Sequence, residues 1–210
     1  MDKKTKDYYL SCGIKSAWHD KTLEEYENDP EALRMVQNYL KKWREYLRKG
    51  LGVYLYGANG TGKSHLMNCA FKQIIAERGT VRVFSMDEIV DKFTASWYSD
   101  EEKRDLDHIL RNVAFLGIDE FGKNIGADGK PVYLPDLVKR TMESIIRYRV
   151  QMNKPIWIAS NTEPKFVKDV FSEDIASLLN EAVVLVQVCG GDYRKVIQRQ
   201  RKNELKEKWV

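Results

Sequence analysis

The sequence predicts an α/β domain: a five-stranded parallel sheet flanked by helices, with a phosphate-binding loop after its first strand. Three observations carry this expectation. The stretch Gly57-Ala58-Asn59-Gly60-Thr61-Gly62-Lys63-Ser64 fits the pattern G-x-x-x-x-G-K-[ST]. It follows an apolar run, residues 51–56, and precedes Leu66, Met67, Ala70, Phe71, Ile74 and Ile75 on one helical face. Further apolar runs at 81–85, 113–118, 156–161 and 183–188 read as strands, with helical patterns between them.

The phosphate-loop reading has a direct physical basis. Glycines let the backbone curl until its N–H groups converge on phosphate oxygens. The following helix N-terminus adds a dipole that favours an anion. Gly57, Asn59, Gly60, Thr61, Gly62 and His65 belong to this cradle, Lys63 is placed to reach the β- and γ-phosphates, and Ser64 to ligate Mg²⁺.

With 210 residues, the chain is long enough for one α/β domain with a real core. Hydrophobic residues at 43% and charged residues at 31% exclude a disordered chain. A net charge of +4 permits nucleic-acid binding without arguing for it. Cys12, Cys69 and Cys189 are far apart and make no zinc spacing with His19, His65 or His108, so reduced thiols are expected. The polar N-terminus gives no signal peptide, and no apolar run is long enough to span a bilayer. The expectation is a soluble cytoplasmic protein with no membrane association.

Residues 1–28 are polar with scattered aromatics and read as a strap over the core, with Trp18 as packing anchor. Such a strap is also a candidate to hold a nucleotide base. The main domain runs from 29 to 190. Its first helix starts at Asn28-Asp29-Pro30, repeats Leu33, Val36, Leu40, Trp43 and Leu47, and stops at Gly50. After the second strand comes a helix, 87–96, then a stretch where base, aromatic and hydroxyl side chains interleave. Lys92, Phe93, Trp97 and Tyr98 there are either core or a surface for stacking bases and contacting phosphate.

The run at 113–118 ends in Asp119-Glu120, two acids where ligands bind in open α/β sheets. Asp119 is placed to hold Mg²⁺, directly or through water, and Glu120 to polarise an attacking water. The loop 122–135 follows, and is either a contact for a neighbour or plain surface. The helix 134–152 buries Leu137, Val138, Met142, Ile145 and Ile146, with Arg140, Arg147 and Arg149 projecting elsewhere. Asn161, ending the fourth strand, is placed to bond the γ-phosphate or the lytic water. Residues 191–210 read as a basic C-terminal helix, either phosphate-facing or solvated, with Asp192 as its cap.

In order, the phosphate loop, the Asp119-Glu120 strand and the Ser160-Asn161 strand resemble the AAA+ ATPases, and more closely the DnaC/DnaI-type replicative helicase loaders and their relative IstB. The similarity runs from about Trp18 to Arg194 and includes 22–26, Asp119-Glu120-Phe121-Gly122, Arg147-Tyr148-Arg149 before Lys154-Pro155, and Gly191-Asp192-Tyr193-Arg194. The resemblance implies ATP and Mg²⁺ as cofactors. Lys63 and Ser64 would be Walker A, Asp119 and Glu120 Walker B, Asn161 sensor 1, and Arg194 the sensor 2 arginine touching the γ-phosphate. It also implies a replicative helicase and single-stranded DNA as partners, the latter at residues 93–98, and assembly with itself or with another AAA+ protein. A helical lid beyond the sheet is expected to be reduced or absent. Two departures stand out. The position of the usual arginine finger reads Ser177-Leu178-Leu179, which puts autonomous hydrolysis in doubt. The short lead-in lacks the zinc ligands that some loaders carry. Three functions follow: a helicase loader, an IstB-like transposition helper, or a weakly hydrolysing adaptor for another ATPase ring.

Overall fold

The computed structural model describes residues 1–95, 99–122, 136–195, 198, 199 and 202. Five strands form one sheet: β1 Gly52–Tyr56, β2 Val81–Ser85, β3 Phe115–Phe121, β4 Ile156–Ser160 and β5 Val183–Gln187. Their order is β2-β3-β4-β1-β5 and every pairing is parallel. The central strand β4, Ile-Trp-Ile-Ala-Ser, is buried at every residue. The edge strand β2, Val-Arg-Val-Phe-Ser, alternates buried and half-buried positions, as the pleat requires.

Strand parity divides the core in two. Val53, Leu55, Phe115, Trp157 and Ala159 face one layer, shared with Val36 of α2 (Pro30–Lys41) and with Phe71 and Ile74 of α4 (Lys63–Ala76). Tyr54, Leu116, Ile118, Ile156 and Ile158 face the other. That layer is closed by α5 (Met86–Ala95), α6 (Asp100–Asn112), α7 (Asp136–Gln151), the single turn α8 (Val167–Val170) and α9 (Glu173–Ala182). No helix among the described residues is long and apolar enough to cross a membrane.

The N-terminal segment is more deeply built in than a drape. After α1 (Lys3–Ser11), the Cys12 carbonyl accepts from Val83 N at 2.9 Å, along the outer edge of β2. Ile14, Leu23 and Tyr26 are buried and anchor the strap, whereas Trp18 is only half-buried. The single helix expected over 29–49 is two. Asp29 Oδ1 caps α2 by accepting from Glu31 N and Ala32 N, both at 3.0 Å. The chain then leaves helical geometry at Lys42 (φ −125°) before α3 (Trp43–Lys49), which Gly50 closes at φ +69°. The break aims the Trp43 indole at Glu77 Oε2, 2.9 Å away.

Two other expectations are corrected. Phe93 is 2% exposed and belongs to the second core layer, so its ring is packed and not offered to a base. Arg149 does not project outward: it is fully buried. Its guanidinium donates to the carbonyls of Leu110 (2.9 Å), Arg111 (3.3 Å), Val113 (3.0 Å), Ala114 (3.0 Å) and Pro155 (2.8 Å). It thereby satisfies the last carbonyls of α6 and ties the entries of β3 and β4 together. Burial pushes its ionisation down to about 9, which leaves it charged at neutral pH.

Removing this hub strands several buried carbonyls. Arg149→Met should lower unfolding free energy by about 3 kcal/mol or more in urea titrations, and Arg149→Lys should recover only part, because one ammonium cannot span five acceptors. A methionine variant as stable as the parent would refute this role.

Candidate nucleotide-binding site

The site lies where the strands end. β1 delivers the chain to a loop, 57–62, that turns into α4 at Lys63. Two glycines there admit no substitute. Gly62 has φ +97°, and a Cβ would meet the Tyr26 ring at 2.4 Å; Gly60 has φ +78°, and a Cβ would meet Asp192 Oδ1 at 1.9 Å. Both contacts bring distant segments, the strap and the C-terminal turn, against the loop. Tyr26 donates its hydroxyl hydrogen to Thr61 O at 2.8 Å, and Tyr193 N donates to Gly60 O at 3.0 Å.

Lys63 is buried, and its ammonium donates to Gly57 O at 3.0 Å and Ala58 O at 2.7 Å. Burial, opposed by Asp119 and reinforced by Arg194, pushes it down to about 8. A phosphate replacing the carbonyls would restore the full charge. Ser64 Oγ donates to Asp119 Oδ1 at 2.9 Å, which joins the start of α4 to the end of β3. Burial raises the Asp119 carboxyl above the ordinary carboxylate range, while the Ser64 hydroxyl and Glu120 N–H pull the other way.

Glu120 shows a feature that no sequence pattern announces: φ is +57°, left-handed for a non-glycine residue. The register between β3 and β4 shifts between Ile118 and Phe121, so this residue sits on a bulge. Such a conformation costs of order 1–3 kcal/mol and persists only where the surroundings over-determine it. Here the end of β4 does so. Ser160 Oγ donates to Phe121 O and accepts from Thr162 N at 2.9 Å, while Thr162 Oγ1 donates to Gly122 O at 3.2 Å. Asp119 faces a cavity of about 200 Å³ by strand alternation, and the bulge brings Glu120 to the same cavity.

That cavity gathers most of the residues expected from sequence. Asn59, Gly60, Gly62, Lys63, Ser64 and His65 line it, as do Asp119, Glu120, Asn161 and Arg194. Asn161 Nδ2 donates to Asn59 Oδ1 at 2.6 Å, a contact between β4 and the loop. His65 lies on the wall, but its Nε2 bonds the Thr22 carbonyl at 2.6 Å and its ring meets Trp18 and Tyr26, so it also fastens the strap. Trp18, Lys21 and Glu25 complete the opposite rim. Of the expected DNA contacts, Lys92 is exposed on α5, while Trp97 and Tyr98 lie outside the described residues. Leu178, at the expected finger position, is half-buried against the second core layer.

The residues present fit a magnesium ion held with phosphate. A hydroxyl and a carboxylate already stand 2.9 Å apart at a helix N-terminus. Among the described residues no three His, Cys, Asp or Glu side chains form a cluster suited to a metal. Magnesium needs no such cage, since it takes one or two protein ligands and fills its shell with water and phosphate oxygens.

The profile of the AFG1-like ATPases matches residues 15–204. The replicative helicase loader DnaI of Bacillus subtilis (strain 168) is 25% identical over 148 residues, covering 69% of this chain and 45% of that protein. The chain thus spans about half the length of that curated relative. Among solved structures, the DnaC helicase loader superposes with a TM-score of 0.71 at 19% identity, covering 83% of this chain and all of that one. The replication initiator DnaA, bound to AMPPCP and single-stranded DNA, gives 0.65 at 20% identity, covering 90% of this chain and 56% of that one. The profile match over residues 15–204 makes this chain a member of the AFG1-like ATPase family, with a fold like that of the DnaC helicase loader.

Proposed function

We propose that this chain binds ATP with Mg²⁺ in the strand-end cavity and uses it as an accessory ATPase of DNA replication, in the manner of a helicase loader. The observation that carries the reading is the convergence of Lys63, Ser64, Asp119, Glu120, Asn161 and Arg194 on one cavity from four separate segments. Lys63 would exchange its two loop carbonyls for phosphate oxygens. Ser64 and Asp119 would hold Mg²⁺, which neutralises phosphate charge when bound. Glu120, aimed by its bulge, would orient and deprotonate the attacking water, and Asn161 would hold that water or the γ-phosphate. Arg194 would meet the terminal phosphate. The base would lie toward the rim formed by Trp18, Lys21 and Glu25.

Similarity to DnaI and the DnaC fold supports the loader role, with a replicative helicase and single-stranded DNA as partners. DNA contact would fall to Lys92 and to the chain beyond Ala95 rather than to Phe93. One observation favours a weakly hydrolysing adaptor as second reading. Leu178 packs on the core where a trans-acting arginine is expected, and such arginines contribute about 10³–10⁵ in rate.

Three outcomes check these roles. Lys63→Ala should lose detectable binding of a fluorescent ATP analogue. Glu120→Gln should retain that binding while turnover falls by about 10²–10⁴-fold. In gel shifts with ATP present, single strands should be preferred to duplex; preference for duplex would favour the transposition-helper reading instead.

A further inference from the structure

Resting on the nucleotide reading of the cavity, we propose that Asn28 is a positioning residue. It sets Arg194 toward the terminal phosphate, so that the strap takes part in telling a triphosphate from a diphosphate.

A single side-chain amide links the phosphate loop to the C-terminal turn. Asn28 Nδ2 donates to Thr61 O in the phosphate loop at 3.1 Å and to Gly191 O in the C-terminal turn at 2.9 Å. These acceptors stand 33 and 163 residues away from it along the chain, respectively. One primary amide carries two N–H donors, so both carbonyls can be served at once. No smaller polar side chain offers two donors in this fork.

The surroundings show that the fork is held. Asp29 accepts from Cys189 N at 2.7 Å through Oδ2 while its Oδ1 caps α2. Tyr26 donates to the same Thr61 carbonyl. Gly190 has φ +106°, and a Cβ there would meet Asn28 O at 2.6 Å and Asn28 Nδ2 at 2.8 Å, so the turn packs directly on this asparagine. Gly191 has open space around it, and three residues later Arg194 lines the cavity. Arg194 is also near enough to Lys63 to oppose its charge. The path is therefore short: strap amide, Gly191 carbonyl, one turn of chain, guanidinium.

The functional consequence follows from where the extra charge of a triphosphate lies. The loop N–H groups contact phosphates common to both nucleotides, and Lys63 reaches the β-phosphate of either one as well as the γ, so much of the binding they supply is shared. A cation brought in by a separate segment rewards only the ligand that reaches it. A loosened turn lets Arg194 sample positions away from the phosphate, and selectivity falls even though the phosphate loop is intact.

Isothermal titration with a non-hydrolysable ATP analogue and with ADP tests this on the full chain. Arg194→Ala serves as reference for lost discrimination. Asn28→Ala, and the isosteric Asn28→Asp if the alanine variant folds poorly, should cut the ATP-to-ADP affinity ratio by about tenfold, the scale of one or two hydrogen bonds, while ADP affinity stays within about threefold. In an Arg194→Ala background, Asn28→Ala should add nothing further to the loss. Parallel weakening of both nucleotides, or full additivity with Arg194→Ala, would overturn the proposal and leave Asn28 as a plain structural link. A parent protein that binds neither nucleotide would remove the nucleotide reading itself, and the proposal with it.

Discussion

The hydrogen bond from Ser64 to Asp119 spans two strand spacings of the sheet. β1, which feeds the phosphate loop, and β3, which carries the acids, are not neighbours; β4 lies between them. Two strand spacings amount to roughly 10 Å, too far for a loop residue and a strand-end carboxylate to meet directly. The first turn of α4 leans across the end of β4, and Asp119, two residues beyond Gly117 on the same strand face, points toward that helix to receive it. Asn161, at the end of the strand in the middle, falls between the two and bonds the loop through Asn59. The chemistry of the site is thus a property of topology: three parallel strands end together, and only the middle one separates cradle from acid.

The same sheet has two differently managed ends. At the carboxyl ends of the strands, unfavourable features accumulate: a left-handed glutamate, a buried ammonium on carbonyls, a carboxylate pushed toward its neutral form. An anionic, metal-bearing ligand would relieve the two electrostatic costs, while the backbone strain at Glu120 is held by the bulge. At the amino ends, Arg149 is also a buried cation without a carboxylate partner among its hydrogen bonds, yet its five carbonyl acceptors are fixed backbone. That end meets the two terminal guanidinium nitrogens with its own backbone, although the buried Arg149 Nε has no acceptor. Two continuous apolar layers, built by strict alternation along β1, β3 and β4, hold the ends at a constant separation.

Much of this was legible in the sequence, and the remainder was hidden for identifiable reasons. The phosphate loop, the acid pair and Asn161 could be read because each sits at a strand end, where local pattern and chemistry coincide. The break at Lys42 was not legible, because Leu40, Trp43 and Leu47 keep helical spacing across it. Arg149 was read as outward because helical periodicity sorts charges to the solvent side. Only tertiary structure shows five carbonyls gathered from the ends of two loops. Phe93 stood in a basic-aromatic stretch whose composition suits either a core or a stacking surface, and burial decided for the core. The left-handed Glu120 leaves no trace at all, since its neighbours read as an ordinary strand.

The strap is where local reading and structure differ most in consequence. Residues 1–28 read in sequence as a strap draped over the core, because they are polar with scattered aromatics. Yet Tyr26 and Asn28 share the carbonyl of Thr61, His65 bonds Thr22, and Lys72 donates to the carbonyls of Trp18, His19 and Lys21. The phosphate loop is therefore gripped from outside by the chain's beginning and by its last turns. A ligand that needs this arrangement binds only the assembled form. Its binding energy is then shared with the packing of Ile14 and Leu23, residues that never approach it. In this fold the strap is not a cover laid over a finished site; through Thr61 and His65 it supplies part of the hydrogen bonding that fixes the loop.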